Sequence, residues 1–378
     1  MGSEVRERTQ RVIERCRSQG FAAAGIASIE PSHRQEAWRS WIGSGRQGEM
    51  TYLDRTLEVR LDPNQFLPGA RAAVVVADAY VTRSLRFQRC ESIAQDAGVL
   101  QGEAFGRIAR YARGRDYHSV MTKRLHALSD ALRAEHPNDS FRTFVDIHPV
   151  IERELAARAG LGWIGKHTLL IHPRIGSYLL LGGIMTTLEL EPVAEGQRVI
   201  DHCGSCTRCI DACPTGCITP YSVDAQRCIA YLTIERRSRV PEELRANMHD
   251  WIFGCDVCQE VCPHNSLRAA ARQDLPAANA AYAPLREGFD LLSVLGWREE
   301  DRAKAFRTTP LRRAPLDQFR RNAAYAAGNL LAGSFHPGLH TRLQAIAADP
   351  TEPELVRDAA SWALRRASRD DAATAREP

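Results

Sequence analysis

The sequence predicts a multi-domain protein of the α+β/α class, with an α/β domain, a cysteine-rich insert and a helical domain. Strand and helix patterns alternate along roughly the first 190 residues, as α/β architecture requires. Nine of the eleven cysteines lie between Cys203 and Cys262. Residues 286–376 are rich in Ala, Arg and Leu at helical spacing, without a strand pattern. We therefore place the domains at residues 1–195, 196–275 and 276–378.

Hydrophobic periodicity predicts the elements of the first domain. Residues 72–77 form an apolar run with β-branched side chains, of the length of a buried strand. Apolar residues between positions 120 and 132 repeat at helical spacing. The pattern predicts helices over residues 5–20, 118–135 and 150–159, and further strands over residues 141–145 and 179–187.

The third domain contains a weak internal repeat. Residues 319–331 and 355–368 share spaced apolar positions followed by paired alanines. Such a repeat is typical of stacked helix pairs of the HEAT type.

Composition indicates an ordinary globular protein. The 378 residues are 44% hydrophobic and 25% charged, with a formal net charge of +4. No apolar run reaches the roughly 18–20 residues of a membrane span, and residues 1–19 lack the apolar core of a signal peptide. We expect a cytoplasmic protein with no membrane contact. Because thiols stay reduced there, clustered cysteines indicate metal binding rather than disulfides.

Two cysteine runs have the spacing of ferredoxin-type iron–sulfur ligands. The first run is Cys203-x2-Cys206-x2-Cys209-x3-Cys213-Pro214. In this pattern three thiolates surround one cubane and the fourth reaches a second cluster. The second run is Cys255-x2-Cys258-x3-Cys262-Pro263, and it lacks a first cysteine because residue 252 is Ile. Cys228 is the nearest spare thiol that can fill this position.

Exchange of ligands between the runs gives two complete sets. We expect one [4Fe–4S] cluster to take Cys203, Cys206, Cys209 and Cys262, and the other to take Cys213, Cys228, Cys255 and Cys258. The cysteines left over, which we expect to be small buried side chains, are Cys16, Cys90 and Cys217. The alternative is structural zinc, but zinc favours two ligand pairs, often with His. Clusters only carry single electrons, so a reaction centre must lie elsewhere.

Three other segments bear on chemistry. Residues 107–124 carry six basic residues against one acidic residue, which fits either a solvated helix face or an anion site. Asp146 ends a predicted strand, where catalytic groups often lie in α/β folds, although it could instead cap the next helix. Gly160, Gly162 and Gly165 form G-x-G-x-x-G after a helix rather than a strand, so we reject a dinucleotide site there.

Long motifs closely resemble the epoxyqueuosine reductase family, in order from about residue 5 to at least residue 330. Besides the cysteine runs, they are GRDYH (114–118), VDxxPVxER (145–153), AGLGWIGKHTLLI (159–171), YSVDAQRCIAYLTIE (221–235), TPLRR (309–313) and FRRNAAYAAGN (319–329).

The resemblance implies an enzyme that reduces epoxyqueuosine at the wobble position of tRNA to queuosine, the final step of queuosine biosynthesis. Its cofactors would be cobalamin and two [4Fe–4S] clusters. Its fold would be an α/β cobalamin-binding domain, a ferredoxin-like two-cluster insert and a HEAT-like helical domain that binds tRNA. Asp146 would be the proton donor, and Cys228 the distant cluster ligand. The cobalamin contacts suggested by motif position are Arg60, Tyr111, Arg113 and Asp146, with backbone contacts around Leu170, Leu181 and Ile184.

The sequence departs from the family beside Asp146. Small residues usually follow this aspartate in the family, whereas Ile147 and His148 stand here. Asp146 and His148 also begin a D-x-H-x-x-G cobalt-ligand motif, but residue 151 is Ile rather than Gly. We therefore do not expect His148 to bind cobalt.

Conversion of an epoxide to an alkene with loss of water consumes two electrons and two protons. A cluster passes one electron at a time, whereas reduced cobalt can hold two. The departing oxygen needs an acid. Asp146 suits this role if burial raises its pKa or a neighbour holds its proton.

A basic segment supports tRNA as a partner. Residues 302–321 contain seven basic residues and one acidic residue, Asp317, which suits phosphate contacts unless the segment is an ordinary solvated helix. The other expected partner is an electron donor such as reduced flavodoxin or ferredoxin, and we expect a monomer.

Three alternatives compete with this interpretation. A corrinoid reductive dehalogenase shares a cobalamin domain and a cluster insert, but respiratory members usually carry a twin-arginine signal and lack a basic helical domain. A pure electron-transfer ferredoxin module would not need the first 190 or so residues. An iron–sulfur protein that binds tRNA without catalysis is the third.

Overall fold

The computed structural model describes residues 2–81, 104–266 and 278–374, with side chains up to residue 368. Cys90 and the predicted boundary at residue 275 lie outside these ranges. In the described ranges the strands are β1 (Ala23–Ser28), β2 (Ala72–Ala79), β3 (Phe105–Ile108), β4 (Phe141–Val145), β5 (Trp163–Ile164), β6 (Leu170–Ile171), β7 (Leu179–Thr186), β8 (Ile218–Thr219), β9 (Ser222–Val223), β10 (Trp251–Phe253) and β11 (Gly288–Asp290).

The α-helices of the described ranges number sixteen. They are α1 (Gly2–Ser18), α2 (Gln35–Gly43), α3 (Thr51–Arg55), α4 (Leu57–Leu61), α5 (Pro63–Phe66), α6 (Tyr117–Glu135), α7 (Glu152–Arg158), α8 (Arg208–Asp211), α9 (Ile229–Ile234), α10 (Glu242–Arg245), α11 (Val257–Glu260), α12 (Leu291–Gly296), α13 (Glu299–Phe306), α14 (Leu316–Leu331), α15 (Pro337–Ala348) and α16 (Glu354–Thr374). In this part of the chain, no helix is long and apolar enough to cross a membrane.

A four-stranded sheet in the order β1-β2-β7-β4 forms the centre of the first predicted domain, residues 1–195. We call this domain the front domain and its sheet the front sheet. The predicted strands and helices are present, with ends shifted by at most three residues. All strand pairs of the front sheet are antiparallel, whereas the α/β class implies a parallel sheet. The alternation of strand and helix in a sequence does not reveal strand direction, so the fold here is a mixed helix and sheet arrangement.

Side-chain alternation along β2 divides the core into two layers. Val74 and Val76 face one side with Met121 and Leu125 of α6. The neighbouring residues of β2 face the other side, where α7 packs. Gly183 on β7 is required by this packing, because a Cβ there would lie 2.3 Å from the carbonyl oxygen of Val74.

A second core joins the cysteine-rich segment to the C-terminal helices. Ile229, Leu232 and Trp251 pack with Phe319 and Tyr325 in one hydrophobic cluster. The sheet β10-β3-β11 takes one strand from each of the three predicted domains. In the described ranges, the three predicted domains therefore share packing with one another.

The C-terminal region is helical, and α14 packs extensively against α16, the two stretches that carry the sequence repeat. Gly328 allows this approach, because a Cβ there would lie 2.6 Å from the Cα of Ala363. The prediction that this region contains no strand is wrong, since β11 pairs with β3.

Two arginines of the predicted tRNA-binding segment are structural. Arg321 is fully buried and donates hydrogen bonds to the backbone carbonyls of Leu232, Arg236 and Ser238. Arg320 is also buried and pairs with a carboxylate, Glu352, at 2.7 Å. Charge density alone does not distinguish such core arginines from phosphate-binding ones, so the basic segment is smaller than predicted.

Replacement of Arg321 by Met should lower the free energy of unfolding by about 3 kcal/mol, because three buried carbonyls lose a charged donor. Urea unfolding measures this change. Arg312→Met, in the same segment but exposed, should change the value by no more than about 0.5 kcal/mol. Equal losses for the two variants would contradict the structural role of Arg321.

Candidate active site and cluster-binding cysteines

Asp146 follows β4 directly and lies among polar side chains from the start of α6. The Tyr117 hydroxyl donates a hydrogen bond to Oδ2 of Asp146. His118 Nε2 lies 2.8 Å from Oδ1 of Asp146. The next helix, α7, begins at Glu152 with Ile151 at its N-cap position, so Asp146 does not cap it. Its side chain is therefore available for chemistry.

The GRDYH motif builds this arrangement locally. Asp116 caps α6 by accepting a hydrogen bond from the backbone N–H of His118. The same carboxylate lies 2.7 Å from His118 Nδ1, so the imidazole is held between two aspartates. Arg313 Nη2 lies 2.9 Å from His118 Nε2 and brings the TPLRR motif to the site. No role was predicted for Tyr117 or His118, although both belong to the GRDYH motif, which resembles the family.

The electrostatics of the pair place the proton on histidine. Burial and the nearby Arg313 guanidinium favour neutral His118, but the contacts with the carboxylates of Asp116 and Asp146 outweigh them and raise the His118 pKa to about 9. Burial likewise opposes ionisation of Asp146, but His118 and Tyr117 hold its pKa below the usual value. Of the two conditions set for the acid role of Asp146, a pKa raised by burial is not met, because its neighbours are donors, whereas a neighbour that holds the proton is present in His118.

A cavity of about 420 Å³ opens beside Asp146. Its walls combine aromatic rings, Trp38, Trp41 and Tyr52, with the guanidinium groups of Arg34 and Arg60. Glu152 also lines it, and burial raises the pKa of that carboxyl. Such a mixture of flat apolar surface and convergent polar groups is typical of cofactor pockets.

The suggested cobalamin contacts fall into two groups. Arg60 and Asp146 line the cavity. The other side chains belong to packing: Tyr111 lies against Tyr117 and Phe253, Arg113 donates to the carbonyl of Ile108, and Leu170, Leu181 and Ile184 pack in the front-domain core. Backbone contacts around residues 170–184 stay a prediction. His148 packs edge-on against Phe66 and contacts the backbone of Val145.

The cysteines of the two runs separate into two groups. Cys262 packs with Cys203, Trp163 and Ile171 in one cluster. Burial, with the nearby charges of Cys203, Cys209 and Cys206, raises the pKa of the Cys262 thiol to about 11. This group contains the members of the first predicted ligand set.

The second group surrounds Cys228. Burial raises the pKa of the Cys255 and Cys258 thiols, and the nearby charge of Cys228 raises both further. Cys213 is close enough to Cys255 to act in the same way. Cys217 adjoins this group, with its Sγ 3.4 Å from that of Cys213. The distant cysteine, Cys228, thus lies near the other members of the second predicted ligand set, and its role as a ligand stays a prediction.

The segment 110–118 connects the second cysteine group to Asp146. The backbone N–H of Arg110 donates to Asp256, which stands between Cys255 and Cys258, at 2.7 Å. Tyr111 contacts Tyr117, whose hydroxyl binds Asp146. Segment 110–118 therefore has one contact beside the second cysteine group and another at Asp146.

Family models match two parts of the chain. Residues 202–265 match the 4Fe-4S double cluster binding domain, which favours clusters over zinc. Residues 60–147 match the model of epoxyqueuosine reductase QueG, DUF1730.

Relatives cover nearly the whole chain. An epoxyqueuosine reductase of Pseudomonas aeruginosa is 36% identical over 356 residues, covering 93% of this chain and 92% of the relative. The chain belongs to the epoxyqueuosine reductase family. The Escherichia coli epoxyqueuosine reductase is 35% identical over 350 residues, covering 91% of this chain and 86% of the relative. Family membership over this length displaces the dehalogenase, ferredoxin-module and non-catalytic alternatives.

Solved epoxyqueuosine reductase structures share the fold. One, crystallised with an epoxyqueuosine-modified tRNA-Tyr stem loop, matches with a TM-score of 0.81 and 26% identity, covering 98% of this chain and 95% of the other. Another, from Bacillus subtilis with its catalytic aspartate loop swung out of the active site, matches with a TM-score of 0.78, 25% identity and the same coverage.

We expect Cys228→Ala to lose about half of the bound iron, because the second cubane would lack one of its four thiolates. Iron analysis of the anaerobically purified protein measures this loss. Cys16→Ala removes a buried thiol in the front-domain core and should leave the iron content unchanged. Full iron content in Cys228→Ala would mean that another thiol, such as Cys217, is the ligand.

Proposed function

We propose that the protein reduces epoxyqueuosine at the wobble position of tRNA to queuosine, the final step of queuosine biosynthesis. It is an iron–sulfur oxidoreductase whose cofactors are two [4Fe–4S] clusters and cobalamin. The observation that carries the proposal is the partly buried Asp146–His118 pair at the edge of a cavity of about 420 Å³, with segment 110–118 leading from it to the second cysteine group. Membership of the epoxyqueuosine reductase family identifies the substrate for which we propose this site.

Both kinds of cofactor fit the residues present. The eight thiols that we propose as ligands are divided between the neighbourhoods of Cys262 and Cys228, and two cubanes require two sets of four. The cavity beside Asp146 offers flat aromatic walls and cationic side chains to a large macrocycle with polar substituents. We propose Arg60 and backbone around Leu170, Leu181 and Ile184 as cobalamin contacts, with Tyr111 and Arg113 supporting them from behind. When bound, cobalamin supplies a centre that can hold two electrons.

The chain itself manages the protons. The epoxide takes up two electrons and two protons and becomes an alkene and water. At neutral pH, His118 holds a proton between Asp116 and Asp146. We propose that His118 gives this proton to Asp146, which passes it to the departing oxygen, with Tyr117 fixing the carboxylate orientation. The second proton of the water comes from solvent, which reprotonates the same pair.

Electron entry and tRNA docking belong to two different surfaces. Cys203 and Cys206 are only partly buried, which suits the first cluster to accept electrons from a reduced flavodoxin or ferredoxin. The exposed members of the basic segment, Lys304, Arg307, Arg312 and Arg313, suit phosphate contacts. We propose further that the protein acts as a monomer in the cytoplasm.

Asp146→Asn should keep iron and cobalamin but lose most single-turnover activity, because an amide cannot relay a proton to the departing oxygen. The assay is anaerobic conversion of epoxyqueuosine-containing tRNA, read as loss of one oxygen by mass. A general acid typically contributes about 10²–10⁴-fold to the rate. Wild-type turnover by the variant would disprove the acid role.

The rate of the chemical step should fall as pH rises through about 9, because His118 then loses its proton. Its protonated form, held by Asp116 and Asp146 beside Arg313, is populated below that pH. His118→Gln keeps a hydrogen-bonding side chain but cannot titrate. We expect slower turnover without this alkaline decline. The same decline in the variant would show that another group is responsible.

A further inference from the structure

Cys217 is a thiol that neither ligand set uses, although it lies against the second one. It follows Cys213 by four positions and directly precedes β8. Its side chain is buried, with 5% exposure. Its Sγ lies 3.4 Å from that of Cys213, and it also lies within hydrogen-bonding reach of Cys228. Two predicted ligands of one cluster therefore share a single unligated thiol neighbour.

Ligation determines which sulfur carries the proton. A cysteine bound to iron is a thiolate and can only accept a hydrogen bond. Cys217 lies outside the ligand set and keeps its proton, so among the sulfurs of Cys213, Cys217 and Cys228 it is the hydrogen-bond donor. Its separation from Cys213 is far longer than the roughly 2.05 Å of a disulfide. Burial keeps competing water away from the contact, so the direction of the hydrogen bond is fixed.

We propose that the Cys217 thiol donates an S–H···S hydrogen bond to one ligand sulfur of the second cluster, that of Cys213, and thereby raises that cluster's reduction potential. The inference rests on the proposed cluster ligation by Cys213 and Cys228. Hydrogen bonds to cluster sulfurs tune the potential, because they stabilise the more negative, reduced state. Cys217 thus makes the second cluster easier to reduce with electrons from the first.

The size of the effect follows from the worth of one hydrogen bond. Loss of a typical buried hydrogen bond changes an equilibrium constant by about threefold to tenfold. Tenfold corresponds to about 59 mV for a one-electron couple. Thr215 Oγ1 lies 3.7 Å from Cys213 Sγ and provides a second, weaker donor, so part of the tuning persists without Cys217.

The test is a redox titration of the reconstituted holoprotein without tRNA, followed by electron paramagnetic resonance. Cys217→Ala should retain full iron and shift the midpoint potential of one cluster to a lower value, by about threefold to tenfold in the reduction equilibrium. The shifted signal should be the one that disappears in Cys228→Ala. Cys217→Ser, which retains a donor, should stay close to the wild type, and Cys16→Ala should not shift either cluster.

Three results would overturn the proposal. The first is an unchanged midpoint potential in Cys217→Ala with full iron. The second is loss of half the iron in that variant, which would make Cys217 a ligand. The third is an equal shift in Cys217→Ser, which would indicate packing rather than hydrogen bonding. None of these readings depends on turnover, so failure of the proposed enzymatic activity would be seen separately.

Discussion

The ion pair between His118 and Asp146 is the contact on which the site depends. It joins the start of α6 to the turn after β4, so it holds two separate segments of the front domain together. Without His118, the partly buried carboxylate of Asp146 would lose its cationic partner and keep only the Tyr117 hydroxyl as a donor. Without Asp146, the imidazole would lose one of the two anions that keep it protonated. Each group therefore supplies the condition under which the other can handle a proton.

Electron supply is tied to the same point by packing. Segment 110–118 contacts Asp256 between two cysteines at one end and Asp146 at the other. The sheet β10-β3-β11 holds this segment against the cysteine-rich region and the C-terminal helices. Buried Arg321 stabilises the core between the cysteine-rich segment and the C-terminal helices by donating hydrogen bonds to three backbone carbonyls. A shift between the domains would thus move the second cluster relative to the acid–base pair, and shared packing prevents it.

The sequence predicted local features well and long-range electrostatics poorly. The two cysteine groups follow from the spacing of the runs and the exchange of one cysteine between them, and the proposed fourth ligand, Cys228, follows from a count of thiols. The direction of the Asp146 pKa shift did not follow, because its partner His118 lies 28 positions earlier and meets it only in the folded chain. Arg320 and Arg321 resembled phosphate ligands because charge density carries no information about burial. Strand direction in the front sheet was inaccessible for a similar reason, since the connections that reverse the chain have no periodic pattern.

The most direct test of the account is anaerobic turnover by the wild-type holoprotein of tRNA that contains epoxyqueuosine, with a chemical reductant and the nucleoside read by mass spectrometry. The account predicts that the modified nucleoside loses one oxygen atom, and that this conversion requires both iron and cobalamin. Unchanged epoxyqueuosine after incubation with protein that holds two clusters and cobalamin would contradict it.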